Sequence, residues 1–117
     1  MEEMKHEDMN ACIEACEEAL HQSQHCALHC ISHATPEMAA CALACLDAAD
    51  ICEATLKAMA RASKHHAEFA ALCEHVCRAC ADHCAMHADE HEHCRVCRDA
   101  CRACAGECAR HASEKSV

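Results

Sequence analysis

The chain has 117 residues, 16 of them cysteine and 13 histidine, with one Phe, no Tyr, no Trp and a net charge of −10. So few large hydrophobes cannot fill an ordinary core in a domain this small, which then needs metals or disulfides as staples. The acidic balance argues against nucleic acid as a partner, the lack of an apolar run near about 18 residues against a membrane span, and the single Gly and single Pro against a turn-rich β scaffold.

The opening stretch MEEMKHEDMN is acidic and has no hydrophobic segment, unlike a secretory signal. The expectation is a cytoplasmic, reducing setting, where disulfides are rare and clustered cysteine means metal or redox chemistry. Four helices follow, over roughly 4–33, 36–62, 64–87 and 90–112. Thr35-Pro36-Glu37 reads as a helix start, with Thr35 as N-cap and Pro36 in the first turn. Ser63 reads as the N-cap of the third helix, and Asp89 with Glu92 as a capping-box variant before the fourth. Short connections predict an all-α, antiparallel up-down-up-down four-helix bundle occupying the whole chain, 1–117, as one domain.

Cysteine spacing sets what faces inward. The first helix has Cys12, Cys16, Cys26 and Cys30, and Ala19 and Ser23 complete a regular 4-3-4-3-4 spacing. The second has Cys41, Cys45, Ala48 and Cys52, continued by Thr55 and Met59. The third has Cys73, Cys77, Cys80 and Cys84, then His87; the fourth has Cys94, Cys97, Cys101, Cys104 and Cys108, then His111. Every cysteine thus falls on an a or d position of one heptad frame per helix, the positions that form a buried seam. Ile13, Leu20, Leu56, Phe69 and Val76 sit beside the seam. A bundle core normally filled with Leu and Ile is here lined with thiols.

A thiol seam has several readings. Cysteine packs as a small hydrophobe, but Ala, Val or Leu would pack as well without the oxidation hazard. Disulfides suit neither the i,i+4 geometry nor a reducing compartment. Structural zinc favours C-x2-C knuckles in loops, iron–sulfur clusters favour tight C-x2-C-x2-C runs, and covalent haem needs C-x-x-C-H; none is visible. Cu(I) fits better: it is soft, selects thiolates, and matches one positive charge to each thiol proton lost. Neighbouring thiols at i and i+4 already share a face, so a continuous seam can hold a file of ions. No Ser-His-Asp set or Gly-rich phosphate loop reads from the sequence, so no enzyme is expected. Two alternatives stay open: a metallothionein-like zinc or cadmium buffer, and a thiol redox protein centred on Cys94-Arg95-Val96-Cys97.

The segments ACIEAC (11–16), LDAADIC (46–52), CEHVCRACADHC (73–84) and HADEHEHCRVCRDACRACAGEC (87–108) resemble the bacterial copper storage proteins, in the branch without an export signal. The resemblance covers nearly the whole chain. It implies a cytoplasmic homotetramer of four-helix bundles, each storing many Cu(I) ions on inward-facing thiolates, with a copper chaperone as the expected donor. Ala19, Ser23 and Ala48 depart from the family pattern, which often has Cys there, and thin the thiols midway along the first and second helices.

In an antiparallel bundle one end collects His29, His33, Met38, His83, His87, His91 and His93. Of these, His33, Met38, His87 and His91 lie on the seam and are expected to form the copper port, Met and His being exchangeable Cu(I) ligands. The opposite end collects Met9, Met59, His66, Phe69 and His111, with fewer thiols expected nearby and Phe69 as its plug.

Overall fold

A computed structural model describes residues 2–33 and 35–114, with side chains from Met9 onward. Four helices follow in order: α1 (Glu2–His33), α2 (Pro36–Ala60), α3 (His66–Ala85) and α4 (Glu92–Ala112). No strand occurs among the described residues. At 1.5 Å rise per residue α1 alone is about 48 Å long, and the molecule measures 48 × 18 × 18 Å. Each helix packs against two neighbours, α1 on α2 and α4, and α3 on α2 and α4. This square, antiparallel arrangement turns four heptad seams toward one shared axis.

The connections are short and locally determined. Thr35 is the N-cap of α2: its backbone is extended, its hydroxyl accepts the Met38 N–H at 3.2 Å, and Pro36 opens the helix. This is the start the sequence predicts. The start of α3 differs from expectation. The Ser63 N–H donates to Ala58 O at 2.9 Å and the Ala62 N–H to Met59 O at 3.1 Å, the paired bonds that close a helix C-terminus as a Schellman motif. Ser63 therefore finishes α2 instead of capping α3, whose N-cap is His65 without a side-chain cap bond. The Ser63 hydroxyl accepts from the His65 N–H at 3.1 Å, inside the turn. The capping box expected of Asp89 and Glu92 is also absent: His91 occupies the cap position of α4, and Glu92 meets Arg95 at 3.3 Å. The chain after α3 makes further turns through 86–90, with the His91 N–H on His87 O, and this delays the helix past Asp89.

All sixteen cysteines are fully buried, with Ala19, Ser23, Ala48, Thr55, Ala70 and Ala105 between them. Ile13, Leu20, Ile51, Leu56 and Val76 pack against this core from its flanks. The outer faces carry pairs one turn apart, such as Lys57 with Glu53 and Arg78 with Glu74, each worth a few tenths of a kcal/mol.

Ala62 adopts φ 50° at the Schellman position, where a Cβ crowds the following carbonyl and glycine is the usual residue. Ala62→Gly is expected to stabilise the protein by about 1 kcal/mol, the relief of that crowding less the extra freedom of the unfolded chain. Urea unfolding of the reduced apoprotein checks this; an unchanged or lowered midpoint would contradict it.

Candidate metal centre

The seam positions bring thiols from all four helices into contact. Near the far end, Cys104 of α4 is a hub. Its Sγ lies 3.6 Å from Cys16, 3.9 Å from each of Cys52, Cys73 and Cys77, and 4.0 Å from Cys108. Cys12 joins through Cys108 at 3.9 Å, making a group of seven thiols. Toward the other end, Cys45 lies 3.7 Å from Cys80 and 4.0 Å from Cys84 and Cys97. Cys41 contacts Cys84 at 3.9 Å, and Cys101 contacts Cys97 at 4.0 Å. Cys26 contacts Cys30 and Cys94 at 3.8 and 3.9 Å.

Between the two groups, α1 and α2 present Ala19, Ser23 and Ala48, all fully buried. The Ser23 hydroxyl lies 3.5 Å from Cys101 Sγ and 3.7 Å from Cys97 Sγ. The polar group is thus satisfied by thiols, and α3 and α4 alone carry the ladder across this level.

Several four-thiol sets have their sulfurs within 4.8 Å of one another: Cys16, Cys73, Cys104 and Cys108; Cys52, Cys73, Cys77 and Cys104; Cys26, Cys41, Cys45 and Cys84; Cys45, Cys80, Cys84 and Cys97. The first two share Cys73 and Cys104, and the last two share Cys45 and Cys84. Overlap of this kind forces thiolates to bridge ions if the sets fill together.

The thiols also share protons unevenly. Hydrogen bonds from Cys101, Cys45 and Cys84 bring Cys80 down to about 5, while contacts with Cys26, Cys41 and Cys45 push Cys84 up. At the rim, burial acts first and raises Cys30 to about 12 and Cys94 to about 11. A soft monovalent cation that replaces thiol protons relieves the cost of charging such a site.

His33, Met38, His87 and His91 come together as expected, around a cleft of 330 Å³ that Thr35, Glu37 and Glu90 complete. Met38 is buried, His87 and His91 are half-buried, and His33 is exposed at the rim with its ring 4.8 Å from His91. His87 Nε2 is buried without a hydrogen-bond partner. The imidazole nearest the thiols, however, belongs to His93. Its Nδ1 lies 3.3 Å from Cys26 Sγ and 3.6 Å from Cys94 Sγ, and it joins Cys26, Cys30 and Cys94 in a potential ligand set. Its ring stacks on His29 at 4.9 Å. Burial, then the charges of His29, His91 and His33, hold the imidazole below its ordinary value, which favours the neutral, ligating form.

Heptad assignment places His93 off the seam; its position next to Cys94 in the first turn of α4 was the available signal. The far end also departs from expectation. It holds the seven-thiol group described above, with Met9 and Met59 buried there and Phe69 half-buried.

Residues 5–113 match the family model described as copper storage protein. The chain belongs to the copper storage protein family. A structure described as copper loading to a cytosolic copper storage protein from Streptomyces lividans, with five coppers, is 34% identical, covers 95% of this chain and 97% of that one, and superposes with a TM-score of 0.87. The Cu(I)-bound copper storage protein BsCsp3 is 34% identical, covers 91% and 99% of the two chains, and has a TM-score of 0.84. An uncharacterized cysteine-rich protein of Bacillus subtilis, YhjQ, is 41% identical over 49 residues; the match covers 42% of this chain and 44% of that protein's length.

Proposed function

We propose that this protein stores Cu(I) in the cytoplasm, as one domain, on thiolates of the sixteen seam cysteines. The overlapping four-thiol sets along a closed axis carry the reading. Bridging thiolates and a soft monovalent ion suit one another, and one cation per thiolate leaves the buried file near neutrality. His33, Met38, His87 and His91, with His93 behind them, form the port through which copper enters and leaves. The thiols behind the port hold the cargo. The protein acts as a reservoir: every thiol, the C-x-x-C pair Cys94 and Cys97 included, is buried in the seam among other thiols. A copper chaperone is the proposed donor.

A homotetramer is part of the same reading. Leu28, Ile31, Leu43 and Leu46 are 64%, 61%, 65% and 43% exposed on α1 and α2, and three of them line one apolar groove with Ala39 and Ala42. An apolar face of that kind suits contact with further copies of the chain.

Reduced apoprotein titrated with Cu(I) against a competing chelator is expected to take up roughly 12–20 ions per chain, a count set by thiolate bridging. Saturation near four ions, or preferential retention of zinc from mixed-metal medium, would move the protein to isolated tetrahedral sites.

Port and store separate by mutation. Replacing His33, His87 and His91 by Ala is expected to slow copper uptake and chelator removal while capacity stays unchanged. Replacing Cys77, Cys80, Cys101 and Cys104 by Ala is expected to lower capacity with entry rates little altered, at about 1 kcal/mol or less of stability each. Stopped-flow uptake and end-point copper counts measure both; a histidine variant that loads at the normal rate but holds several ions fewer would make these residues storage ligands.

A further inference from the structure

The far end of the bundle, opposite the histidine cleft, holds an imidazole aligned by a carboxylate. His111 continues the α4 seam after Cys104 and Cys108 and is 3% exposed. Its Nδ1 lies 2.6 Å from Glu114 Oε1, one turn on. A carboxylate only accepts, so Nδ1 carries the proton, and in the neutral ring Nε2 is left with its lone pair free. That Nε2 is buried and has no hydrogen-bond partner.

Glu114 is fixed from a second side. His66 Nε2 lies 3.2 Å from the same carboxylate oxygen, while His66 Nδ1 lies 2.9 Å from Ser63 O. His66 thus faces an acceptor at each nitrogen, and its role is to anchor the carboxylate. Burial raises the Glu114 carboxyl, but the hydrogen bonds from His111 and His66 hold it below its ordinary value. A carboxylate holding one imidazole N–H while the other nitrogen stays free is the arrangement that orients ligating histidines in metal sites.

His111 lies one turn beyond Cys108 on the same face of α4, at the end of the thiol file. Cys12 and Cys108 Sγ are 3.9 Å apart. Two thiolates and one neutral imidazole make a soft, three-donor set suited to Cu(I).

We propose that His111 Nε2, with Cys12 and Cys108, forms a terminal Cu(I) site that closes the thiol file at its far end. The proposal rests on the copper-storing reading and adds a nitrogen ligand to it. When Cu(I) binds there, Cys12 and Cys108 each release a proton and His111 releases none.

Histidine 15N NMR of the full-length wild type, reduced and apo, is expected to show His111 as the Nδ1–H tautomer. On loading with Cu(I), its Nε2 resonance is expected to shift while Nδ1 stays protonated. His111→Leu is expected to hold about one Cu(I) fewer per chain, with Glu114→Gln keeping the count but releasing its last ion faster to a chelator. A wild type that loads its full complement while the His111 Nε2 resonance stays unmoved overturns the proposal and leaves storage intact. A wild type that binds no Cu(I) overturns storage itself. If His111→Leu loses its helical circular dichroism, the wild-type resonance alone decides.

Discussion

Everything in this structure depends on thiols being held out of water, in contact with one another, along the axis of a helical bundle. A lone buried cysteine is a small hydrophobe with an inert thiol. Sixteen on one axis behave differently, because each can be charged only if a neighbour donates a hydrogen bond or a cation takes the place of the proton. The square packing of four antiparallel helices produces this environment, since it is the arrangement that points all four seams at one line. The same seam explains the composition: large apolar residues on the axis would displace sulfur, so Leu20, Leu56, Ile13 and Val76 are pushed to the flanks.

The cost is a core poor in hydrophobic area. Ala and Cys bury little surface per residue, and hydrophobic stabilisation scales with that surface. Helix propensity, the Thr35 cap and charge pairs on the outer faces add to the stability of the bundle. An ion bound only by the folded chain then adds stability by mass action, so loading and stability rise together. The level of Ala19, Ser23 and Ala48 is where the thiol supply is thinnest. There α1 and α2 contribute a hydroxyl and two methyl groups, and continuity between the far group and the near group passes through Cys77, Cys80 and Cys101 on α3 and α4.

Much of this was legible from residue spacing. Heptad phase alone identified every buried thiol, because a 4-3 repeat leaves no choice of face, and the four helices emerged within a few residues of their true ends. Thr35-Pro36 was readable because capping is local. Ser63 and Asp89 were misread for a shared reason: each lies in a turn whose backbone hydrogen bonds, Ser63 to Ala58 and His91 to His87, are set by the preceding helix and leave no mark on the side chain. The histidines divide the same way. His33, His87 and His91 could be placed by heptad phase. His93 could not, since it reaches Cys26 sideways from the first turn of α4, and the pairing of His111 with Glu114 needed the end of α4 to be located first.

X-ray absorption at the copper edge of the fully loaded protein tests the central claim most directly. Thiolate-bridged Cu(I) predicts an edge characteristic of the monovalent ion, a first shell dominated by two to three sulfurs with a minor nitrogen contribution, and clear scattering from neighbouring copper atoms. A shell of nitrogen and oxygen, or sulfur ligation without any copper–copper scattering, would contradict the account, because the thiols would then not be acting as one bridged file.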